Sequence, residues 1–453
     1  MTLAEVPTAL DLVRVGRALR SGGTTSVRVT EECLLAIATW NSALRAFITV
    51  NEARALDAAR EADRELAAGY DRGPLHGIPI SLKDLIDLAG TPTTAASDAT
   101  SRDPVAADAL VTRRLKAAGA VIVGKTNLHE FALGTTSDQS AYGTVRNPVD
   151  QTRSAGGSSG GAAVSVVMRM AVAAIGTDTG GSIRIPAAAC GVVGLKPAFG
   201  EVPTDGVLPL STSLDHVGPL AGSVADAAAV YQVLARTAAR RLTPRAASGV
   251  RLGRLGGYIE AKLHPEVRAG YESALERITR AGVAIAPRQL AHADEIAPTY
   301  ASISLAEGAA YHSATLDRAP ERYRAVTRER LDQGRRILAE TYLRALAAQD
   351  EIRGDVDAAL TDVDALVLPG MAVPAPVLGT DNITIDGVDE PVRPMMLRLT
   401  QPFNLSGHPA IVLPCGRTSD GLPLSLQLVG HQAATAALLD VAAAVEAVLD
   451  GRA

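Results

Sequence analysis

The chain has 453 residues and a formal net charge of −5, with 47% hydrophobic and 21% charged residues. These values allow a large buried core. No run of five or more like charges is present, which excludes an obvious nucleic-acid patch or acidic tail. The three cysteines, Cys33, Cys190 and Cys415, lack CxxC spacing, so we expect reduced thiols and neither a disulfide framework nor a cysteine metal site.

The ends and the most apolar stretch carry no membrane signal. Residues 1–23 lack the basic segment followed by an apolar segment that is typical of a signal peptide. The apolar stretch 162–175 contains Arg169 and is too short to span a bilayer. We therefore expect a soluble, cytoplasmic protein that binds neither nucleic acid nor a membrane.

Apolar periodicity predicts the elements in chain order. Residues 1–70 form an N-terminal helical segment, with helices near 10–19, at 26–40 with Ser26 as its N-cap, and at 51–68. Later helices are predicted at 107–118, 223–235, 266–281, 320–360 and 433–449. Short apolar runs predict strands at 78–82, 120–123, 171–175, 365–368, 410–413 and 424–429.

This alternation of strands and helices predicts an α/β fold with a large, mostly parallel or mixed central sheet covered by helices on both faces. The absence of a linker or an internal repeat favours one domain over 1–453, with its catalytic core at 75–220. The helix-rich segment 290–360 is expected to lie over one side as a helical cap. Residues 370–394, rich in Pro, Gly and Asp, are predicted to be an irregular loop.

Two glycine- and serine-rich segments flank the predicted strand at 171–175. They read SAGGSSGG at 154–161 and IGTDTGGSIRIP at 175–186. Glycines at this density let the backbone approach another group closely. The second segment places Ser182 at a strand-to-helix corner, where a side chain can be exposed and nearby N–H groups can converge on an oxyanion. The candidate donors are the N–H groups of Thr179, Gly180, Gly181 and Ser182.

A nucleophilic serine needs a base, and the eight histidines form no partner motif. His129 and His216 alone lie close to the glycine-rich loops, and we interpret both as surface or core residues. A lysine can serve if burial makes it neutral. The candidate is Lys83, at the end of the predicted strand 78–82 within HGIPISLKDL. From spacing alone, a lysine that reaches solvent or pairs with Asp84 remains an alternative.

The segment GAVIVGKT at 119–126 matches a phosphate-binding loop pattern. Such a loop needs mobile backbone between its glycines, so that N–H groups wrap a phosphate. Here the interior is Ala-Val-Ile-Val, which is typical of a strand. We therefore expect no nucleotide site, and no metal-ligand spacing of His or carboxylates is present either.

Together these segments resemble the amidase signature family. GGSSGG at 156–161, GTDTGGSIRIPAAACGVVGLKP at 176–197 and SLKD at 81–84 carry the resemblance, and GKTN at 124–127 and GLPLSLQ at 421–427 add to it. The resemblance implies the amidase signature fold. It also implies Ser182 as the nucleophile, Ser158 on a cis peptide as the relay and Lys83 as the general base. Support for the site is expected from Ser159 and from an ion pair between Asp178 and Arg184.

The resemblance further places one segment against the acyl side of the substrate, namely Phe131, Ala132, Leu133, Gly134 and Thr135. The region 290–400 is expected to supply the rest of the pocket. It holds apolar residues and few obviously convergent charges, which favours a small neutral amide with an apolar or aryl portion. A carbamate fits the same chemistry. No cofactor or metal is needed, the partner is the small-molecule amide or carbamate substrate, and we expect a monomer or homodimer.

Two alternatives stay open. One is the glutamine-hydrolysing A subunit of an aminoacyl-tRNA amidotransferase, which works inside a complex. Such subunits carry an acidic residue shortly before a Thr-x-Pro-x-Asn segment, whereas this chain has Leu397 before TQPFN at 400–404. The other is a non-catalytic binding module on the same fold, which the retention of Ser182, Ser158 and Lys83 argues against.

Overall fold

The computed structural model describes residues 7–238, 240–243 and 245–452. The helices are α1 (Leu12–Arg20), α2 (Ser26–Leu44), α3 (Glu52–Ala67), α4 (Leu110–Ala117), α5 (Gly160–Val167), α6 (Arg184–Cys190), α7 (Val224–Ala235), α8 (Tyr258–Ala261), α9 (Pro265–Arg280), α10 (Ile296–Arg318), α11 (Ala325–Gly334), α12 (Ala339–Ala359), α13 (Val392–Leu397), α14 (Pro402–Leu405) and α15 (Thr435–Leu449). The strands are β1 (Phe47–Val50), β2 (Pro79–Lys83), β3 (Val121–Thr126), β4 (Ala173–Asp178), β5 (Val193–Lys196), β6 (His216–Ala221), β7 (Arg251–Leu255), β8 (Ala284–Arg288), β9 (Ala365–Pro369), β10 (Asn382–Ile385), β11 (Val388–Pro391), β12 (Ala410–Arg417) and β13 (Pro423–Val429).

Across these described ranges, eleven strands form one sheet in the order β1-β3-β2-β4-β6-β5-β12-β13-β9-β7-β8. The pairs β2–β3, β2–β4, β7–β8 and β7–β9 are parallel, and the other neighbours are antiparallel. The expected α/β fold with a large mixed sheet is confirmed. Strands β2, β4, β9 and β13 are buried along their whole length, as continuous apolar runs predict.

The helices α5 and α6 lie at the centre of the molecule. Every residue of both is buried. Both begin within the last residues of the glycine- and serine-rich segments, and their residues are mostly Ala, Val and Gly, whose small side chains allow close packing. The two segments singled out from the sequence are therefore fixed by buried helices at their carboxyl ends.

Helices α10, α11 and α12 lie in the segment that the sequence predicts to be a cap. Helices α11 and α12 both pack on α10, and polar contacts tie these helices to the core. Glu307 of α10 accepts a hydrogen bond from the Ser211 hydroxyl at 2.7 Å and from the Ser213 amide at 3.1 Å. Glu130, beside the predicted acyl-side segment, accepts the Arg324 amide at 2.9 Å just before α11. These contacts hold the cap over the region that precedes β6.

Several elements differ from the sequence prediction. Strands β1, β5, β6, β7 and β8 were not predicted, because they are short or interrupted by glycine, proline and charge. Thr25, not Ser26, caps α2, since its side chain accepts the Arg28 amide while the Ser26 hydroxyl donates to Gly77. Residues 370–394 are not wholly irregular either, because β10 and β11 form a hairpin there and α13 begins at residue 392.

The turn between β10 and β11 has a sequence that is typical of a β-hairpin. It is Asp386-Gly387, and both residues have positive φ, 49° and 82°. Asp-Gly between two short β-prone runs is a strong hairpin indicator.

Among the described residues, no helix combines the length and the apolar character needed to cross a membrane.

Candidate active site

The turn that carries Ser182 joins β4, which ends at Asp178, to α6, which begins at Arg184. Ser182 is 6% exposed, and the residues before it are buried. The backbone N–H groups of residues 179–182 donate to no acceptor among the described residues. A set of adjacent, unpaired, buried N–H groups beside a serine hydroxyl is the arrangement that an oxyanion requires.

Two glycines make this turn possible. Gly181 has φ 139°, and a Cβ there would lie 2.2 Å from the Thr400 hydroxyl oxygen. A Cβ on Gly180 would lie 2.3 Å from the Tyr300 hydroxyl oxygen. Neighbouring side chains therefore lie too close to the backbone at these two positions for a Cβ to fit. The Thr400 hydroxyl also donates to the Gly180 carbonyl at 2.6 Å.

A buried ion pair fixes the ends of the turn. Asp178 and Arg184 are in contact at 2.9 Å, and both side chains are fully buried. Arg184 also donates to the Thr400 carbonyl, Asn404 and Gln427 at 2.6–3.0 Å. Burial alone would raise the pKa of Asp178, but the charge and hydrogen bonds of Arg184, with the Asn404 amide, hold it below its usual range. The carboxylate therefore stays ionised.

Lys83 is the last residue of β2 and is fully buried. Its Nζ donates to the Ser158 hydroxyl at 2.8 Å and to the Thr177 hydroxyl at 2.8 Å. Burial lowers the pKa of Lys83 to about 7, although the charges of Asp178 and Asp215 act in the opposite direction. A large share of this amine is therefore neutral near pH 7 and able to accept a proton.

The alternative partner for Lys83 is engaged elsewhere. Asp84 pairs with Lys125 at 2.7 Å, and both side chains are fully buried. Lys125 belongs to the GKT segment that matches a phosphate-binding loop pattern, and that segment lies within β3. The structure thus places Lys83 beside the serine turns, and it places Lys125 in a separate buried pair.

Ser158 lies before α5, and the Gly157–Ser158 peptide bond is cis. The neighbouring Ser159 joins the two serine turns, because its amide donates to the Ser182 carbonyl at 3.1 Å and its hydroxyl donates to the Thr177 carbonyl at 3.1 Å. Among the described residues, the Ser182 hydroxyl makes no hydrogen bond, to Ser158 or to any other group. The structure therefore brings Lys83 and Ser158 into contact and the two serine turns together, without a hydroxyl–hydroxyl bond.

Asp215 is a site residue that sequence reasoning missed. It accepts the Thr179 hydroxyl at 2.5 Å and the amides of Leu210 and Ser211 at 2.9 and 3.1 Å. Burial raises its pKa to about 6, while these hydrogen bonds and the charge of Lys83 act to lower it. Asp215 thus anchors the first residue of the N–H cluster from the strand β6 side.

The predicted acyl-side segment, residues 131–135, lies between core and cap. The Phe131 ring packs edge-on against His312 of α10 with centroids 4.2 Å apart, and it also contacts Tyr323. His129 is buried, and its backbone amide donates to the Ser158 carbonyl at 3.1 Å. A Cβ on Gly134 would lie 2.1 Å from the His129 ring. Ala132, Leu133 and Thr135 are buried in the same segment.

The cap also supplies charge that the sequence did not predict. Arg330 of α11 donates to the Leu133 carbonyl, and the charges of Arg330 and Arg393 both act on His129. The expectation of few convergent charges in 290–400 therefore differs from the structure, because the charges of two arginines 63 positions apart both act on His129. No local sequence signal connects them.

An eleven-stranded mixed sheet surrounded by helices, with this lysine and these serine turns at the ends of its strands, has the architecture of an amidase signature enzyme. The chain belongs to the Amidase family, whose model matches residues 28–439. It is thus a member of a family of enzymes that act on C–N bonds.

Similar proteins fall into more than one group. A solved structure described as an amidase is 37% identical, with 97% of this chain and 99% of that chain covered and a TM-score of 0.92. The A subunit of the glutamyl-tRNA(Gln) amidotransferase of Koribacter versatilis is 35% identical, with 96% and 97% covered, and proteins of the same name from other bacteria are 36–37% identical. The AtzE subunit of the 1-carboxybiuret hydrolase of Pseudomonas sp. is 35% identical, with 92% and 94% covered.

Proposed function

We propose that this chain hydrolyses the carbonyl C–N bond of small linear amides, including aryl amides and carbamates, through an acyl-enzyme on Ser182. The observation that carries the proposal is the 2.8 Å contact between the buried Lys83 amine and the Ser158 hydroxyl. A lysine whose pKa burial lowers to about 7 is a base matched to neutral pH. The unpaired N–H groups of residues 179–182 supply the matching electrostatic element.

The first half of the reaction forms the acyl-enzyme. Neutral Lys83 takes the proton of the Ser158 hydroxyl as Ser158 takes the proton of Ser182. The Ser182 oxygen then bonds to the substrate carbonyl carbon, and the negative charge on the carbonyl oxygen is stabilised by the N–H groups of residues 179–182. A donor of this kind contributes about 10²–10³ in rate. Because Ser158 and Ser182 share no hydrogen bond here, this contact must tighten when the substrate binds.

The second half returns the enzyme to its starting state. As the C–N bond breaks, the leaving nitrogen receives the proton that Ser182 gave up, passed back from Lys83 through Ser158. Water then attacks the acyl carbon and gives its proton to the same relay. The acid is released, Ser182 regains its hydrogen and Lys83 is again neutral. For a carbamate, the acyl-enzyme is a carbonate or a carbamoyl ester, depending on which bond breaks, and the proton transfers are the same.

Fluorophosphonate labelling and a hydrolysis screen test this proposal. We expect Ser182 to be labelled in the wild-type protein and not in Ser182→Ala. The purified chain should cleave 4-nitroanilides and aryl carbamates, and both Ser182→Ala and Lys83→Ala should abolish turnover with the fold retained by circular dichroism. Exposed Ser419→Ala is the matched control. Wild-type turnover in Lys83→Ala at neutral pH would remove Lys83 from the mechanism.

Glutamine hydrolysis within an aminoacyl-tRNA amidotransferase complex is the second candidate. The similarity to proteins named as the A subunit of such complexes favours it. Such A subunits are expected to carry an acidic residue shortly before the Thr-x-Pro-x-Asn segment. In this chain that position holds Leu397, a buried apolar side chain at the end of α13. An ammonium group of glutamine would find no counter-charge at that position. Ammonia release from glutamine at a rate above that from anilides, or co-purification with tRNA and a partner protein, would favour this candidate.

A further inference from the structure

Four arginines, Arg72, Arg113, Arg114 and Arg236, line one surface cavity of about 520 Å³, which we call the arginine pocket. No carboxylate side chain lines it. Arg72 pairs with Glu65 outside the pocket, whereas the other three arginines lie in no salt bridge within the described ranges. The whole chain has a net charge of −5, so this concentration of positive charge is a local feature.

Three separate segments build the pocket, namely the loop before β2, helix α4 and the end of α7. Arg114 of α4 donates to the Leu234 carbonyl and so ties α4 to the end of α7. Arg113 donates to the Asp108 carbonyl at 2.7 Å. A guanidinium has five N–H donors, so each of these arginines keeps donors for a ligand. Like charges around one cavity repel one another, and a bound anion removes that repulsion.

A neighbouring cavity that shares Arg72 has a different charge balance. It is lined by Arg54, Arg72 and Lys116, but also by Glu61 and Glu65. Arg72 donates to Glu65 there at 2.7 Å. The protein therefore supplies counter-charges in that cavity, whereas an anion for the arginine pocket has to come from outside the described part of the chain.

The remaining walls of the arginine pocket suit an organic molecule. Pro74, Leu110, Ala117 and Val233 supply apolar surface beside the arginines. Pockets for small molecules typically measure about 300–1,000 Å³, and this cavity falls in that range. A single carboxylate has two oxygens for one guanidinium, whereas a diphosphate offers oxygens to several arginines at once. The planar guanidinium also stacks on aromatic rings.

The arginine pocket lies toward the amino ends of β2 and β3. Pro74 precedes β2, Ala117 precedes β3, and the two strands run parallel. Lys83 is the last residue of β2, so the candidate active site lies toward the opposite ends of these strands. The segment 119–126, which matches a phosphate-binding loop pattern, does not line the arginine pocket. The pocket is therefore separate from both.

We propose that the arginine pocket binds a small organic phosphate with an apolar body, the chemistry of a nucleoside diphosphate. The phosphates bind Arg113, Arg114 and Arg236, and the body lies against Leu110 and Val233. The inference does not rest on the proposed function, because ligand binding is measured without turnover.

Calorimetric titration of the full chain with ADP, pyrophosphate and adenosine, without magnesium, tests the pocket. We expect a Kd for ADP below about 100 µM and weaker binding of both other probes. Arg113→Gln and Arg236→Gln should each weaken ADP binding at least about tenfold, because each removes a charge-assisted contact. Arg113→Lys should recover part of this loss, since it keeps the charge without the fork. Exposed Arg336→Gln is the matched control and should leave the Kd unchanged.

Four results would overturn the proposal. They are no ADP binding up to about 1 mM, ADP binding that both glutamine variants retain in full, adenosine binding as tight as that of ADP, and pyrophosphate binding as tight as that of ADP, which would mean an adventitious ion only. Binding of a short single-stranded RNA that Arg236→Gln abolishes, without binding of ADP, would overturn it in favour of a nucleic-acid surface.

A measurement on the wild-type protein decides if the glutamine variants do not fold. Phenylglyoxal modifies accessible arginines, and mass spectrometry locates the modified positions. ADP should protect Arg113 and Arg236 from modification and adenosine should not, while exposed Arg336 should react equally in both cases. Equal modification of Arg113 and Arg236 with and without ADP would overturn the proposal. A failure of amide hydrolysis leaves these binding results unaffected.

Discussion

Replacing Lys83 with methionine tests whether the buried amine is kept for its chemistry at the expense of stability. In the folded protein burial lowers the pKa of Lys83 from 10.5 to about 7. At pH 7 this difference between the folded and unfolded states opposes folding by roughly 4 kcal/mol. Methionine removes that penalty but gives up two hydrogen bonds worth about 1 kcal/mol each. We therefore expect Lys83→Met to be inactive and about 2 kcal/mol more stable than the wild type at pH 7.

The sign of the pH dependence follows from the same difference. Between pH 7 and 10.5 the unfolded chain binds more protons at Lys83 than the folded protein does, so wild-type stability rises with pH across this window. The advantage of the variant should shrink as the pH increases, vanish near roughly pH 9 and reverse above it. Thermal and urea unfolding of both proteins at pH 7, 8, 9 and 10 measure this crossover.

The pH dependence of activity tests the protonation of Lys83 independently of stability. If neutral Lys83 is the base, wild-type kcat/KM for an anilide should rise roughly tenfold between pH 6 and pH 8, as the amine loses its proton around pH 7. Two results would show that burial of Lys83 does not oppose folding. One is a Lys83→Met variant that is less stable than the wild type at pH 7, and the other is a stability difference that stays constant from pH 7 to 10. A flat rate profile between pH 6 and 8 would refute the role as base.

Three further predictions concern the groups that hold the Ser182 turn. Arg184→Met leaves the Asp178 carboxylate buried without its partner, so it should lower the free energy of unfolding by about 3–5 kcal/mol in urea. Asp215→Asn removes a negative charge that raises the pKa of Lys83, so the acid limb of kcat/KM should move to lower pH, and kcat should fall because the Thr179 anchor weakens. Gly181→Ala, at φ 139° and against Thr400, should lower kcat about 10²-fold with little change in KM.

Two of these changes, Arg184→Met and Gly181→Ala, have a matched control on the same chain. Arg336→Met removes an exposed arginine and should leave the unfolding curve unchanged. Gly354→Ala places a methyl group in α12 where nothing lies within 4 Å, and it should leave turnover unchanged. Wild-type stability in Arg184→Met, an acid limb that does not move in Asp215→Asn, or a normal kcat in Gly181→Ala would each contradict the corresponding role.

Local sequence drew attention to the candidate site residues because they stand in contiguous segments of distinctive composition, and the family resemblance supplied their expected roles. Ser182 and Ser158 stand in glycine-rich runs, and glycine at such density has a local meaning. Lys83 ends an apolar run that became β2, and this explains its burial. The catalytic roles of these residues stay predictions. The longer helices and buried strands were also predicted, because their apolar patterns extend over many residues, whereas short strands such as β7 and β8 gave no clear pattern.

The irregular segments gave weaker information. The Asp-Gly turn of the hairpin formed by β10 and β11 was present in the sequence, but composition alone led to a loop prediction. Thr400 and Asn404 were noticed as a segment, yet their contacts with the Gly180 carbonyl and with Asp178 could not be assigned. These partners lie about 220 positions apart, and no local pattern encodes such a pairing.

By itself the sequence indicated the candidate residues Lys83, Ser158 and Ser182 and the strands with continuous apolar runs, because these patterns depend on neighbours along the chain. Only the tertiary structure decided what charges surround that site. Asp215, Arg330 and Arg393 reach it from the loop before β6, from α11 and from α13, and the pKa of Lys83 depends on the burial and fields that this packing creates. Electrostatic energy depends on distance through space and on exclusion of water, and neither is a property of sequence spacing.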